Sequence, residues 1–154
     1  MKIAVAKIVP SATLPTRKNP TDAGLDLYSA FVMIIEPGEV KTVRTGVAVE
    51  IPKGYVGLLK PKSRHDLLVG AGVIDHGYAP GEIMVKVVNV TNKTLVFRAG
   101  DPVAQLLIMP IITPEISEIN LVDMKSIVEG RDSQGGILEQ MNLTEYLLKN
   151  FTNK

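Results

Sequence analysis

The chain has 154 residues, of which 45% are hydrophobic and 21% are charged, a balance typical of one folded domain and not of a disordered chain. Its 17 Lys and Arg residues against 16 Asp and Glu residues give a net charge of +1, which provides no general electrostatic footprint for duplex nucleic acid or an anionic membrane. The absence of cysteine excludes disulfides, thiolate metal sites and cysteine nucleophiles.

Short runs rich in Val, Ile and Thr predict β-strands along most of the chain. In order, they cover residues 40–51, 55–59, 83–90, 94–97 and 103–109. In the first run, alternation places Val43 and Val47 on one face and Arg44 and Glu50 on the other, which is typical of a half-buried strand. Turn signals recur at short intervals between the runs, and this spacing predicts a β-sandwich, jelly roll or barrel.

Helical patterns appear only near the C-terminus. The pattern of residues 121–129 predicts a short helix. A second helix could follow, with one side lined by the apolar side chains of Leu143, Tyr146, Leu147 and Phe151. The sequence contains no repeat or low-complexity linker that would mark a domain boundary. We therefore expect an all-β protein with little helix.

Two stretches, residues 22–27 and 72–78, each combine glycine with a carboxylate beside a predicted strand. In the first, Gly24 permits a backbone turn and Asp26 begins a β-like run, so its carboxylate can project from a strand edge. In the second, Asp75 ends an apolar strand and Tyr78 follows three residues later, which places a base and a flat apolar surface on one hairpin. A solvated turn aspartate and an ordinary hairpin with a buried tyrosine are the structural alternatives.

Three further stretches contain basic or amide side chains together with turn residues. Residues 61–66 contain Lys62, Ser63 and Arg64, residues 100–106 contain Gln105, and residues 131–138 contain Arg131, Gly135 and Gly136. For the first of these, a solvated basic turn is an equally good interpretation.

Taken in order, the five stretches resemble the five motifs of the trimeric dUTP diphosphatase (dUTPase) family, from about residue 22 to residue 136. The resemblance implies an all-β distorted jelly roll or β-barrel over residues 1–130, and a C-terminal arm with a short helix over residues 131–154. It also implies a homotrimer with three sites at subunit boundaries and dUTP as the substrate.

The resemblance assigns a role to each matching residue. Asp75 would activate the attacking water, Asp26 would hold Mg²⁺ through bound water, and Tyr78 would pack under the deoxyribose. Gly72 and Ile74 would belong to the nucleoside pocket, where backbone groups read uracil. The residues expected around the phosphates are Lys62, Ser63, Arg64, Gln105 and Arg131, with Gly135 and Gly136 in an arm that closes over a neighbouring subunit's site.

Some positions depart from the family pattern. Lys62 replaces an arginine, which keeps the charge but loses the planar two-pronged donor geometry. Arg64 replaces a glycine, so it either supplies a new phosphate contact or impairs this sub-site. Two residues, Ala79 and Pro80, separate Tyr78 from the next glycine, where the family usually has one.

The remaining features concern metal and location. With only two histidines, a histidine-based zinc site is disfavoured, and a hard cation with oxygen ligands is the better expectation. The first ten residues lack the apolar stretch of a secretory signal, and the longest apolar runs are too short to span a bilayer. We expect a cytoplasmic protein that binds neither nucleic acid nor membrane.

Two rival functions stay open. A catalytically weak relative could bind dUTP and act as a regulatory protein, since residues 61–66 and 131–138 depart most from the family pattern. A dCTP deaminase shares the third stretch but uses a glutamate on the following strand, where this chain has Lys86 or an apolar neighbour, and Glu82 comes too early. Turnover of dUTP with and without magnesium separates these possibilities.

Overall fold

The computed structural model describes residues 2–63 and 66–120. Arg64, Arg131, Gly135, Gly136, the helices expected at residues 121–129 and 143–151, and the arm boundary at residue 131 all lie outside this part. The strands belong to a compact unit that ends at Pro114. Of a second unit, which begins at Glu115, the described residues 115–120 have no regular secondary structure. No helix that could cross a bilayer occurs within the described ranges.

Eleven strands and no helix make up the regular structure of the described residues, which confirms the all-β prediction. They are β1 (Val5–Lys7), β2 (Gly24–Tyr28), β3 (Met33–Ile35), β4 (Val40–Arg44), β5 (Val47–Val49), β6 (Tyr55–Lys60), β7 (Leu67–Val69), β8 (Gly72–Ile74), β9 (Met84–Asn89), β10 (Leu95–Phe97) and β11 (Pro102–Pro110).

The strands form four antiparallel sheets. The largest has the order β2-β11-β6-β8 and is called the four-stranded sheet below, and a second has the order β4-β9-β7. Two small sheets pair β1 with β5 and β10 with β3. Neighbouring strands in each sheet are distant in sequence, as in the distorted jelly roll that the sequence predicts.

The core lies between the sheets and is built from alternate strand positions. Leu27 of β2 and Leu106 of β11 are completely buried, as are Val85 and Val87 of β9. Alternation in β4 buries Val43 and exposes Arg44, as predicted, because a strand sends successive side chains to opposite faces, and in β5 all three residues, Val47 included, are buried. The buried polar Asn89 is satisfied, since its Nδ2 donates to the carbonyls of Ile35 at 2.9 Å and Lys93 at 2.7 Å.

The single strand predicted over residues 40–51 is divided into β4 and β5 in the structure. The run over residues 40–51 breaks at Thr45 and Gly46, because Gly46 has a φ of +67° and turns the chain out of a regular ladder. A Cβ at Gly46 would lie 2.6 Å from Cγ2 of Val9, so only glycine fits there. The break lets β4 pair with β9 while β5 pairs with β1.

The prediction of a hairpin around Asp75 was wrong. Strand β8 pairs with β6, whereas β9 pairs with β4 and β7, so residues 75–83 connect two different sheets. The N–H of Ile83 donates to the carbonyl of Val47 at 2.9 Å, which directs the chain towards the second sheet after the loop. Local alternation cannot reveal this crossover, because it depends on pairing partners that are distant in sequence.

Candidate functional site

A cavity of about 310 Å³ lies beside β2, β11 and the end of β6 in the four-stranded sheet. It brings together four residues that the sequence predicted from three separate stretches, namely Asp26, Lys62, Ser63 and Gln105. The other lining residues are Lys18, Asp22, Ala23 and Gly24. The polar and charged lining suits a ligand that carries charge of its own.

The register of β11 explains why these side chains meet. This strand lies between β2 and β6, and Gln105 pairs with Asp26 on one side and with Lys60 on the other. Directly paired residues on neighbouring strands project to the same face of the sheet. The side chains of Asp26 and Gln105 are therefore neighbours, and Lys62 and Ser63 follow the end of β6 in the same region.

Gly24 provides room for the side chain of Gln105. A Cβ at this position would lie 2.1 Å from Oε1 of Gln105. The side-chain amide of Gln105 is fixed by a hydrogen bond to the residue that follows β6, since its Nε2 donates to the carbonyl of Pro61 at 2.8 Å. Gly24 begins β2 and is absent from the glycines with positive φ, so its prediction as a turn residue was wrong. Its missing side chain, and not its backbone freedom, is what the site uses.

Asp26 and Lys62 form an ion pair inside the cavity. Both side chains are mostly buried, with 21% of the Asp26 side chain and 24% of the Lys62 side chain exposed. Partial burial strengthens the attraction of the pair relative to one in bulk water. The lysine expected to contact phosphate therefore neutralises the carboxylate expected to hold the metal.

The cavity also offers oxygen donors that suit a hydrated magnesium ion. The described residues contain no cluster of three or more histidine, aspartate or glutamate side chains. Mg²⁺ usually keeps several waters and takes one or two carboxylates together with substrate phosphate oxygens, so it does not need such a cluster. Asp26, the hydroxyl of Ser63 and the carbonyl of Gln105 fit this requirement.

Asp22 and Lys18 line the same cavity, and the sequence reasoning missed both. The carboxylate of Asp22 accepts from the backbone N–H of Asn19 at 2.9 Å and from its side-chain amide. These hydrogen bonds, with the backbone one strongest, lower the pKa of Asp22. Two adjacent basic residues, Arg17 and Lys18, shortly before the acidic turn were the available signal in the sequence.

The third predicted stretch lies on the loop after β8. The carbonyl of Asp75 accepts from the N–H of Tyr78 at 3.2 Å, and the carbonyl of Tyr78 accepts from the N–H of Gly81 at 2.9 Å. Gly77 has a φ of +87°, as this tight path requires. Asp75 is exposed, and 42% of the surface of Tyr78 is exposed. The loop thus presents an accessible carboxylate and an aromatic ring.

Gly72 and Ile74 lie in β8, where they contribute backbone to the four-stranded sheet. Ile74 is only 5% exposed and its side chain belongs to the core. A Cβ at Gly72 would lie 2.6 Å from Cδ1 of Leu59, so this glycine allows close packing on β6. Any contact that Ile74 makes with a ligand must therefore use its backbone.

Asp75 and Asp26 lie on opposite edges of the four-stranded sheet and in different rows, since Asp26 lies within β2 and Asp75 follows β8. Ile74 pairs with Gly57 on β6, whereas Lys60 is the β6 residue in the row that contains Gln105 and Asp26. Asp75 lies one residue beyond Ile74. Measured along β6, the row of Asp75 is therefore about 13 Å from the row of Lys60. Within one chain, the first, second and fourth stretches are assembled and the third is separate.

Comparisons with known proteins identify close similarity along the chain. Residues 10–135 match the dUTPase family model. The chain is 39% identical over 141 residues to the deoxyuridine 5′-triphosphate nucleotidohydrolase of Mycolicibacterium gilvum, which covers 87% of this chain and 91% of that protein.

Solved structures give the same result. A mutant dUTPase from phage phi11 of S. aureus, described with a structural Mg(II) ion, matches with a TM-score of 0.72 and 32% identity, covering 77% of this chain and 97% of that one. A mutant of the Staphylococcus bacteriophage 80alpha dUTPase, solved with dUpNHpp, matches with a TM-score of 0.76 and 30% identity, covering 87% and 99%.

Proposed function

Because this chain belongs to the dUTPase family, we propose that it is a dUTP diphosphatase, a hydrolase that splits dUTP into dUMP and pyrophosphate. The observation that carries the proposal is the convergence of Asp26, Lys62, Ser63 and Gln105 on one polar cavity. These residues come from three separate stretches of sequence, and their side chains suit a polyphosphate and its divalent cation.

Asp75 acts as the general base. Its exposed carboxylate accepts a proton from a water molecule, whose oxygen attacks the α-phosphorus of dUTP. The bond between the α-phosphorus and its bridging oxygen then breaks, and pyrophosphate leaves with that oxygen. The loop position supports this role, because a carboxylate at the end of a strand is held firmly while its oxygens stay accessible.

Tyr78 recognises the sugar from the same loop. Its hydroxyl donates to the carbonyl of Glu82 at 3.0 Å, which fixes the ring relative to the backbone. A fixed ring against the deoxyribose leaves no room for a 2′-hydroxyl and thereby excludes UTP. Uracil is read by the backbone near Gly72 and Ile74, in agreement with the burial of the Ile74 side chain.

The cavity holds the phosphates and their cation. Lys62, Ser63 and Gln105 line the cavity and would orient the triphosphate, and Asp26 would hold Mg²⁺ there. Magnesium bound there supplies charge neutralisation for the triphosphate. Arg64, Arg131, Gly135 and Gly136 are proposed as further phosphate contacts from the family resemblance.

We further propose that the active form is a homotrimer with sites shared between subunits. The separation of Asp75 from the Asp26 row supports this arrangement, because a second chain is needed to bring the general base to the phosphates. A cyclic trimer places two different surface regions of neighbouring subunits against each other three times.

The test is turnover of dUTP by the purified chain with and without magnesium. We expect dUMP and pyrophosphate in equal amounts, little reaction with UTP, and strong loss of turnover in chelator. Tight dUTP binding without turnover would instead support the regulatory binding protein. Ammonia release from dCTP would support a deaminase, a function disfavoured by the commitment of Glu82 to Arg44 and Gly46.

A further inference from the structure

Glu82, which lies near the end of the loop carrying Asp75 and Tyr78, has a carboxylate enclosed by three donor groups. Its Oε2 accepts from Nη2 of Arg44 at 2.8 Å and from Nε of Arg44 at 3.0 Å. Its Oε1 accepts from the backbone N–H of Gly46 at 2.9 Å. The side chain of Glu82 is only 14% exposed. A loose surface ion pair contributes little, but a two-pronged pair with an added backbone bond fixes geometry.

Arg44 is itself held in place from two sides. Its guanidinium carbon lies 5.2 Å from the centroid of the Phe31 ring, a cation–π arrangement. Its backbone carbonyl accepts from the N–H of Ala30 at 2.9 Å. The arginine therefore provides a fixed point on β4 to which the carboxylate of Glu82 is attached.

The backbone of Glu82 in turn holds Tyr78. The Tyr78 hydroxyl donates to the Glu82 carbonyl at 3.0 Å. The Tyr78 ring packs on Gly81, where a Cβ would lie 2.8 Å from the Tyr78 carbonyl oxygen and 2.9 Å from Cε1. The contacts run without a gap from Arg44 through Glu82 to the Tyr78 ring.

The next residue has anchors of its own. The N–H of Ile83 donates to the carbonyl of Val47 at 2.9 Å, and the Ile83 carbonyl accepts from Oγ1 of Thr45 at 2.5 Å. These bonds hold the start of the second sheet independently of the Glu82 carboxylate. Loss of that carboxylate should therefore loosen the loop and leave the sheets folded.

We propose that Glu82 and Arg44 are positioning residues that set the place of the Tyr78 ring and thereby the discrimination between deoxyribose and ribose nucleotides. Neither side chain contacts the substrate. They act through the Glu82 carbonyl that receives the Tyr78 hydroxyl. The inference rests on the proposed function in one respect, which is the sugar-recognising role of Tyr78.

The test compares Glu82→Gln and Arg44→Met with the parent enzyme. Glu82→Gln keeps an oxygen for the Gly46 N–H but loses the charge, and Arg44→Met keeps the aliphatic stem. We expect each variant to reduce the ratio of kcat/KM for dUTP to that for UTP by about tenfold. Arg44→Lys, which keeps the charge but not the two-pronged geometry, should fall between parent and Arg44→Met. Arg98→Met, at an exposed arginine in the turn after β10, is the matched control and should leave the ratio unchanged.

Hydrogen exchange provides a readout that does not need activity. The amides of Tyr78 and Gly81 should exchange faster in Glu82→Gln and Arg44→Met, by a factor several-fold larger than any change at the amide of Leu106 in β11. Equal acceleration of Leu106 and of the two loop amides would overturn the proposal, because it would show that the pair stabilises the whole fold and does not hold this loop in particular. If Arg44→Met does not fold, the same measurements on Arg44→Lys and Glu82→Gln decide whether the pair positions the loop.

The two sets of results separate this inference from the proposed function. If the parent hydrolyses dUTP and the variants lose both substrates in equal proportion, the positioning role is overturned while the enzyme assignment stands. If the parent hydrolyses no dUTP, the proposed function and the sugar-discrimination role both fail. In that case, exchange confined to the loop still supports the anchoring by Glu82 and Arg44, and unchanged loop exchange overturns it.

Discussion

Lys62 and Asp26 form an ion pair within the cavity that both residues line. In the proposed reaction, Asp26 holds magnesium and Lys62 contacts phosphate, so each must exchange its present partner for a part of the substrate complex. A bound triphosphate would give Lys62 new anionic partners. When Lys62 moves to the phosphates, the Asp26 carboxylate becomes free to hold the metal. The pair therefore couples metal binding to nucleotide binding.

Removing the lysine should uncouple the two binding events. In Lys62→Met, Asp26 loses the cation with which it is paired, so we expect Mg²⁺ alone to bind several-fold more tightly than to the parent. Binding of a non-hydrolysable dUTP analogue should weaken about tenfold, because a charge-assisted contact is lost. Titration calorimetry with Mg²⁺ and with the analogue measures both. Lys93→Met, at an exposed lysine in the turn before β10, is the control. Unchanged Mg²⁺ affinity in Lys62→Met would contradict the competition.

Gly24 and Gln105 should behave as one unit. Gly24→Ala places a Cβ where Oε1 of Gln105 lies, and the long Gln105 side chain can move away at modest cost to stability. We expect a near-parental melting temperature and a KM for dUTP raised about tenfold, because Gln105 loses its bond to Pro61. In a Gln105→Ala background the extra methyl group has room, so Gly24→Ala should add little. Full additivity of the two substitutions in KM would contradict the steric explanation.

Sharing of the site between subunits predicts complementation. Asp75→Asn and Asp26→Asn each inactivate a different half of the site, and these halves lie on opposite edges of the four-stranded sheet. When the two inactive chains are coexpressed in equal amounts and assemble at random, about one quarter of all sites, and about one third of the sites in mixed trimers, should contain both intact halves. Turnover of dUTP by the mixed trimers checks this value. No recovery in verified mixed trimers would place both residues of each site in one chain.

Acid stability should depend on Glu82. Burial raises the pKa of Glu82, but the hydrogen bonds from Arg44 and Gly46 outweigh it and leave the pKa below the ordinary value of 4.5. A carboxylate with a lowered folded-state pKa contributes stability that is fully present above the unfolded-state pKa and is lost as the pH falls through the folded-state pKa.

The corresponding measurement is a series of thermal unfolding curves from neutral pH to below 4.5. Glu82→Gln should melt below the parent at neutral pH, and the difference should shrink as the pH falls. Glu50→Gln, at an exposed carboxylate, provides the comparison. A difference between parent and Glu82→Gln that stays constant down to the lowest pH would show that charge on Glu82 does not contribute.

Local patterns in the sequence predicted the strands well, since Val43 and Val47 are buried and Arg44 is exposed as alternation requires. Predicted residues Asp26 and Gln105 do meet, but their adjacency follows from the pairing of β2 with β11. Such long-range register leaves no local signature.

The errors have the same origin. Gly46, whose N–H donates to the carboxylate of the distant Glu82, interrupts a run that alternates like one strand. The loop after Asp75 was predicted as a hairpin because the sequence does not state which strand β9 will pair with. Glu82 went unrecognised as a structural residue for the same reason, since its partners lie 36 and 38 positions away.

The central claim is that Asp75 is the general base for hydrolysis of dUTP, and Asp75→Asn tests it most directly. The substitution keeps size and polarity but cannot accept the proton, so kcat should fall by about 10² to 10⁴. Affinity for a non-hydrolysable dUTP analogue should stay near the parental value, because the loop and the phosphate cavity are intact. Near-parental kcat in a correctly folded Asp75→Asn trimer would contradict the account.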